Sequence, residues 1–156
     1  HDFMDNNSYI DGDEYDFEYI ELYGKVGIRM TVGGSFMDKD NNDRGWDGPH
    51  WAKDDDNFID VQNDKPLNFP EDDSNVQPFI FKPYRPNMEN DYIECYGELF
   101  DDNGIFGFSR LGDHSTTIPL KDLELTAEVG ESTVKTIVID DFDDQVEVTF
   151  TVTRIK

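Results

Sequence analysis

Apolar and polar side chains alternate with a period of two over long stretches of this chain. Ile20, Leu22, Val26, Ile28, Met30 and Val32 fall on one face, and Glu21, Tyr23, Lys25, Arg29 and Thr31 on the other. Strict alternation of this kind is the mark of a half-buried β-strand. It returns at Ile93, Cys95 and Leu99 against Tyr92, Glu94, Tyr96 and Glu98, and again at Val146, Val148, Phe150 and Val152 against Glu147, Thr149, Thr151 and Thr153. Shorter runs at 58–61, 79–81, 105–108, 116–118 and 135–139 bring the expectation to about seven to eight strands. Clusters of Asp, Asn and Gly at 38–43, 101–104 and 140–144 supply the turns between them, with Asn103-Gly104 at a hairpin corner. Many short strands punctuated in this way predict an all-β fold, an antiparallel β-sandwich.

Three stretches depart from the pattern. Residues 1–18 carry seven acidic residues and no Lys or Arg, which predicts a loose, partly disordered acidic leader ahead of a single domain over 19–156. Residues 62–91 hold five prolines, which block ladder hydrogen bonds and predict ordered loop with one edge strand near Phe79 to Phe81. Between Leu120 and Val129 the apolar positions fit a strand or a short turn of helix. An internal echo also stands out: Tyr19-Ile20-Glu21-Leu22-Tyr23-Gly24 matches Tyr92-Ile93-Glu94-Cys95-Tyr96-Gly97 at five of six positions. Two strands with the same packing task, each kinked at its glycine, account for it more simply than a duplicated half-domain.

The length of 156 residues suits one domain with one real core. Charge changes the picture more than size does. Thirteen Lys and Arg stand against 36 Asp and Glu, a formal net charge of −23. Repulsion on that scale opposes compaction unless cations, salt or a basic partner screens it. Nucleic acid is excluded as a partner class, because phosphate binding needs a basic surface. No run of apolar residues is long enough for a transmembrane helix, and Cys95 has no second cysteine to bridge to. In its alternating strand Cys95 reads as a small buried hydrophobe. The start at His1-Asp2, without Met, fits a processed or truncated chain from which an export signal was removed, and so a secreted or cell-surface location.

The densest chemistry follows the first long strand, in Asp38-Lys39-Asp40-Asn41-Asn42-Asp43-Arg44-Gly45-Trp46-Asp47. Alternate side chains Asp38, Asp40 and Asn42, with Asp43 and Asp47 beside them, offer the oxygen donors that Ca2+ takes. A solvated acidic turn is the alternative. An EF-hand is excluded, since the loop would need Gly at Asp43 and Glu at Pro49. Further along, Asp54-Asp55-Asp56, Glu71-Asp72-Asp73 and the acidic run from Asp140 to Asp144 read as solvated turns. Trp46, His50 and Trp51 are candidates for stacking a sugar ring, or else for plugging the end of the core. Catalysis finds little footing: Ser109, Asp113, His114 and Ser115 are near in sequence, without a nucleophile elbow around them.

The run Phe36-Met37-Asp38-Lys39-Asp40, with Asp43 and Gly45 following, resembles the calcium loop of the calcium-dependent phospholipid-binding β-sandwich domains of protein kinase C and its relatives. Ile118-Pro119-Leu120-Lys121-Asp122-Leu123 is similar to a strand exit of that family. The resemblance implies calcium held between loops at one end of an eight-stranded sandwich, with Asp38, Asp40 and Asp43 as ligands and Asp101 and Asp102 as a second ligand turn. The chain departs from that family in lacking a basic lipid-binding strand and in its Pro-rich stretch. The expected function is a calcium-dependent, non-enzymatic binding module of an exported protein, meeting a carbohydrate, membrane or protein surface through its end loops. An acidic decoy or inhibitor that binds a basic protein partner is the alternative; it needs carboxylates spread over a strand or helix face at phosphate-like spacing, whereas here they concentrate in turns, which favours the calcium-dependent module. Nothing in the sequence speaks to oligomeric state.

Overall fold

The computed structural model describes residues 3–5, 9–14, 20–37, 51–61, 66–69, 71–73, 76, 80–81, 87–102, 108–126, 128–140 and 144–156. For 3–5, 9–14, 80, 108–110, 124–126 and 144 it describes the backbone alone. The strands in chain order are β1 (Phe3–Asp5), β2 (Tyr9–Glu14), β3 (Ile20–Val32), β4 (Ser35–Met37), β5 (Trp51–Lys53), β6 (Ile59–Val61), β7 (Leu67–Asn68), β8 (Ile80–Phe81), β9 (Tyr92–Asp102), β10 (Phe108–Pro119), β11 (Ser132–Asp140) and β12 (Asp144–Arg154). One helix, α1 (Leu120–Thr126), separates β10 from β11.

These strands form two antiparallel sheets. In the first, β12 is central, with β11 along one edge and β1 and β2 end to end along the other, followed outward by β8 and β7. In the second, β3 is central. It pairs with β9, and through it β10, on one side, and with β4, β5 and β6 in succession on the other. The fold is therefore all-β, as the period-two segments require. β3 and β12 are the longest alternating runs of the sequence, and each can sit at a sheet centre because both its edges are paired while one face is buried.

Inward side chains of both sheets meet in one core. Ile20, Leu22, Ile28, Ile93 and Leu99 of the second sheet join Ile137, Val146, Val148 and Phe150 of the first, each 0–1% exposed. At about 1.5–3 kcal/mol for each fully buried aliphatic or aromatic side chain, this cluster is the main force for compaction against the chain's self-repulsion. The sheets approach closely at Gly97, where a Cβ would stand 2.9 Å from Ile139 Cδ1. Helix α1 closes one end with Leu120 and Leu123, three apart on one helical face and both buried. Of the two readings of 120–129, the short helix is the one observed.

The leader differs from expectation. Residues read as loose contain β1 and β2, which add two strands to the open edge of β12. Ladder hydrogen bonds between backbones require no apolar periodicity, so an acidic segment can serve as an edge partner.

A buried carboxylate fixes the β3–β4 turn. Asp91, 2% exposed, accepts hydrogen bonds from the N–H groups of Gly33 (2.9 Å), Gly34 (3.2 Å) and Asn87 (2.6 Å). Its carbonyl oxygen accepts from Leu120 N–H at 3.0 Å. Burial opposes ionisation of this carboxyl, and the bonds from Gly33, Asn87, Gly34 and Thr31 outweigh it, holding Asp91 below the usual carboxylate range.

Candidate binding face

Alternation places a second set of side chains on the opposite face of the β10-β9-β3-β6 sheet, away from the core. Glu21, Tyr23, Lys25 and Arg29 of β3 share it with Glu94, Tyr96, Glu98, Phe100 and Asp102 of β9. Residues paired across an antiparallel ladder point to the same side, so the register decides their neighbours. Asp60 of β6 stands opposite Glu21. Lys25 stands opposite Glu98, which in turn faces Asp113 of β10, and Tyr96 faces Ser115.

At one end of this face the carboxylates crowd. Glu21 on β3 lies between Asp60 on β6 and Asp102 on β9, and burial, then Asp102, then Asp60 push its carboxyl above the ordinary value. Beside it Tyr23 stacks on Phe100 with ring centroids 5.2 Å apart and planes 15° apart. The Tyr23 phenol is likewise pushed up, by burial first and then by Asp55, Asp102 and Asp101. Burial is the larger cause at both positions, and the Asp102 carboxylate adds repulsion to each.

In the middle of the face lies a buried ion pair. Arg29, 6% exposed, donates from Nε to Glu94 Oε1 at 3.0 Å. Its guanidinium carbon sits 3.8 Å from the Phe36 ring centroid and 5.2 Å from that of Tyr96. A planar cation between two rings and a carboxylate suits arginine and not lysine.

Tyr96 leans across β3. A Cβ at Gly27 would collide with the Tyr96 hydroxyl end, so the absence of a side chain at Gly27 is what lets the ring lie there. Between β9 and β10 lies a cleft of about 390 Å³ lined by Tyr96, Gly97, Glu98, Asp113, His114 and Ser115.

Asp113, His114 and Ser115 are consecutive on extended β10, and all three line this cleft.

The residues singled out from sequence are distributed unevenly. Asp38, Asp40, Asn42, Asp43, Trp46, Asp47 and His50 lie outside the described residues. Trp51, named for sugar stacking, is instead 2% exposed in the core beside Phe69, with ring centroids 6.5 Å apart. Its position on β5 turns the ring inward under β3. Asp101 is 5% exposed, and its Oδ1 accepts the Glu21 N–H at 3.0 Å, which is a structural duty. Asp102 is half-buried at the acidic end. Among the described residues no group of three or more His, Cys, Asp or Glu side chains is arranged to hold a metal ion.

Of the three acidic runs, Asp54 accepts from Asn57 Nδ2 at 2.6 Å, Asp72 from Asn68 N–H at 2.6 Å, and Asp73 pairs with Lys53 at 3.1 Å. The first two are local turn bonds, and the third ties the 71–73 run to β5; residues 141–143 of the last run lie outside the described residues. What sequence reasoning missed was the row of Glu21, Asp60 and Asp102, and the facing pair Glu98 and Asp113. Their polar positions in alternating strands were visible, but which strand lies beside which was not. Among the described residues no helix is long and apolar enough to cross a membrane. Comparison with protein-family models, with curated proteins and with solved structures finds no match.

Proposed function

We propose that this chain is a non-enzymatic binding module that meets a basic protein partner with the outer face of its β10-β9-β3-β6 sheet. The observation that carries the reading is the row of Glu21, Asp60 and Asp102 on adjacent strands. Carboxylates about 4.8 Å apart in the ladder direction repel one another, and Lys or Arg side chains laid across them offset that repulsion. Acids held on a strand face are the signature expected of a partner-binding surface, whereas acids in turns serve the turns. The net charge of −23 would speed encounter with such a partner.

A calcium requirement is the second reading, and the net charge of −23 favours it, because a bound divalent cation offsets self-repulsion of that kind. Asp101 and Asp102 belong to the acidic set proposed for Ca2+, with Asp38, Asp40, Asn42, Asp43 and Asp47 as the other donors. A β-sandwich of an exported protein, stabilised in this way, is compatible with both readings.

The test is titration of a lysine-rich peptide against the parent and the triple variant Glu21→Gln, Asp60→Asn, Asp102→Asn. Binding to the parent should weaken steeply from about 0.01 M to about 1 M salt, over which the screening length contracts from roughly 30 Å to roughly 3 Å. The folded triple variant should bind at least several-fold more weakly. Equal binding by parent and variant would remove this face as the partner surface.

A further inference from the structure

We infer that the free edge of β11 is a docking surface for a second copy of this chain, paired antiparallel about a two-fold axis at Thr136. Among the described residues β11 pairs with β12 alone, so its outer edge carries no further strand. Arg154 N–H donates to the Glu131 carbonyl at 3.0 Å, and Ser132 stands opposite Thr153. In an antiparallel ladder that phase gives the odd-numbered residues of β11 to β12 and turns the N–H and C=O groups of Ser132, Val134, Thr136, Val138 and Asp140 outward. All five are exposed, Val134 at 59% and Val138 at 38%.

Long unpaired edges are ordinarily guarded by charge, proline or a bulge. β10, the long edge of the other sheet, is guarded in this way: its register shifts between Arg110 and Gly112, Gly112 has φ 140°, and Asp113 and His114 are exposed. β11 has no such device. Its nine residues include no Gly or Pro, and its one Lys and one Asp cancel in a chain of net charge −23. A like-charged second copy therefore meets no net charge along this strand.

The strand is also complementary to itself. Turned about Thr136, it sets Ser132 opposite Asp140, Val134 opposite Val138 and Thr136 opposite Thr136 of the second copy. Every outward residue then has an outward partner. A hydroxyl meets a carboxylate, exposed valines cover each other, and the central threonines match, pairings that suit neighbouring strands. Hydrogen-bonded pairs exchange two bonds each, so the five pairs supply about ten, as many as a typical protein interface carries.

The experiment is sedimentation equilibrium of the full chain over a concentration series, at about 0.15 M and about 1 M salt, where the screening lengths are roughly 8 Å and 3 Å. The parent should dimerise, several-fold more tightly at the higher salt, because screening removes repulsion between two copies of net charge −23. At the lower salt, Val134→Lys with Val138→Lys sets like charges opposite one another and should weaken the dimer at least tenfold. Val134→Glu with Val138→Lys keeps the parent's net charge, sets opposite charges there and should restore the dimer to within a few-fold of the parent. Both positions are exposed, and urea melts check that each variant folds. Thr136→Cys should cross-link the dimer under mild oxidant, since opposed hydrogen-bonded residues have Cα atoms about 5.5 Å apart, within disulfide reach, while Cys95 is buried. A parent that stays monomeric to millimolar concentration in high salt overturns the inference. So does a dimer that the paired lysines leave intact, or one that the Glu and Lys exchange fails to restore. Capture of a basic peptide weakens with salt whereas this dimer strengthens, so failure of either leaves the other standing.

Discussion

The carboxylate of Asp91 accepts the N–H of Gly33 at 2.9 Å and so ties the β3–β4 turn to the start of β9, 58 residues away. Charged hydrogen bonds contribute about 1.5–3 kcal/mol each, and a donor left buried without a partner costs about 1–3 kcal/mol. Asp91→Ala should therefore lower unfolding free energy by on the order of 3 kcal/mol in urea melts. The carboxyl titrates below its unfolded value of about 3.9, so its contribution is complete above about pH 4 and is lost as pH falls through the folded value. The stability difference between the parent and Asp91→Asn should shrink over that acid window. A difference that stays constant down to the lowest folded pH would contradict the assigned role.

Glu21 has the opposite sign. Its folded carboxyl titrates above the unfolded value, so it costs stability once pH rises through the unfolded value toward the folded one. Glu21→Gln should stabilise the chain near neutral pH by about 0.5 kcal/mol, the scale of a like-charge cross-strand pair. The gain should vanish in acid, where Glu21 is protonated in both states. Thermal melts at two pH values check it, and destabilisation at neutral pH would count against repulsion in the row.

Two glycines with positive φ should respond differently to alanine. Gly33 has φ 62° and open space around its missing Cβ, so Gly33→Ala should cost only about 1 kcal/mol of backbone strain. Gly24 has φ 120°, and its Cβ would collide with the Glu98 carbonyl oxygen, so β3 and β9 would have to part. Gly24→Ala should cost well over twice as much. Comparable urea midpoints for the two variants would refute the close approach of these strands.

The buried pair Arg29 and Glu94 gives a double-mutant test. Glu94→Ala leaves a guanidinium buried without its carboxylate and should cost about 3–5 kcal/mol. Replacing both, as Arg29→Met with Glu94→Leu, removes the uncompensated charge and should cost clearly less than that single change. Additive losses in denaturant melts would mean that the two side chains do not act as a pair.

Calcium at ten times its dissociation constant adds about 1.4 kcal/mol through linkage, which corresponds to roughly 2–6 °C in melting temperature for a domain of this size. The parent should show this rise, with magnesium at equal ionic strength doing less. Asp38→Asn with Asp40→Asn should abolish it. An unchanged increment in that variant would exclude those two acids as ligands.

Much of the fold was legible because half-buried strands write their environment locally. The alternation at Ile20 to Val32, Ile93 to Leu99 and Val146 to Val152 predicted β3, β9 and β12, and the inert burial of Cys95 followed from its place in that pattern. The echo of 20–24 in 93–97 also has a meaning: both segments lie in the paired strands β3 and β9 and bury Ile20 and Ile93, Leu22 and Cys95. Its two glycines serve different ends, Gly24 facing the Glu98 backbone and Gly97 facing Ile139 of the other sheet.

Cross-strand neighbours were decided only by tertiary structure. Period two says that Glu21 and Glu98 point away from the core, but not that Asp60 and Asp102 flank one and Asp113 faces the other. Register depends on pairing between segments many tens of residues apart, and it turns ordinary polar positions into a charged row and a cleft. The same holds for Arg29, which alternation assigns to solvent and which Phe36, Tyr96 and Glu94 bury. Strands β1 and β2 escaped the sequence reading because backbone pairing along β12 needs no hydrophobic signal. What the sequence determines here is which residues alternate and how much charge they carry; folding decides which charges become neighbours, because that depends on strand order and register rather than on any local pattern.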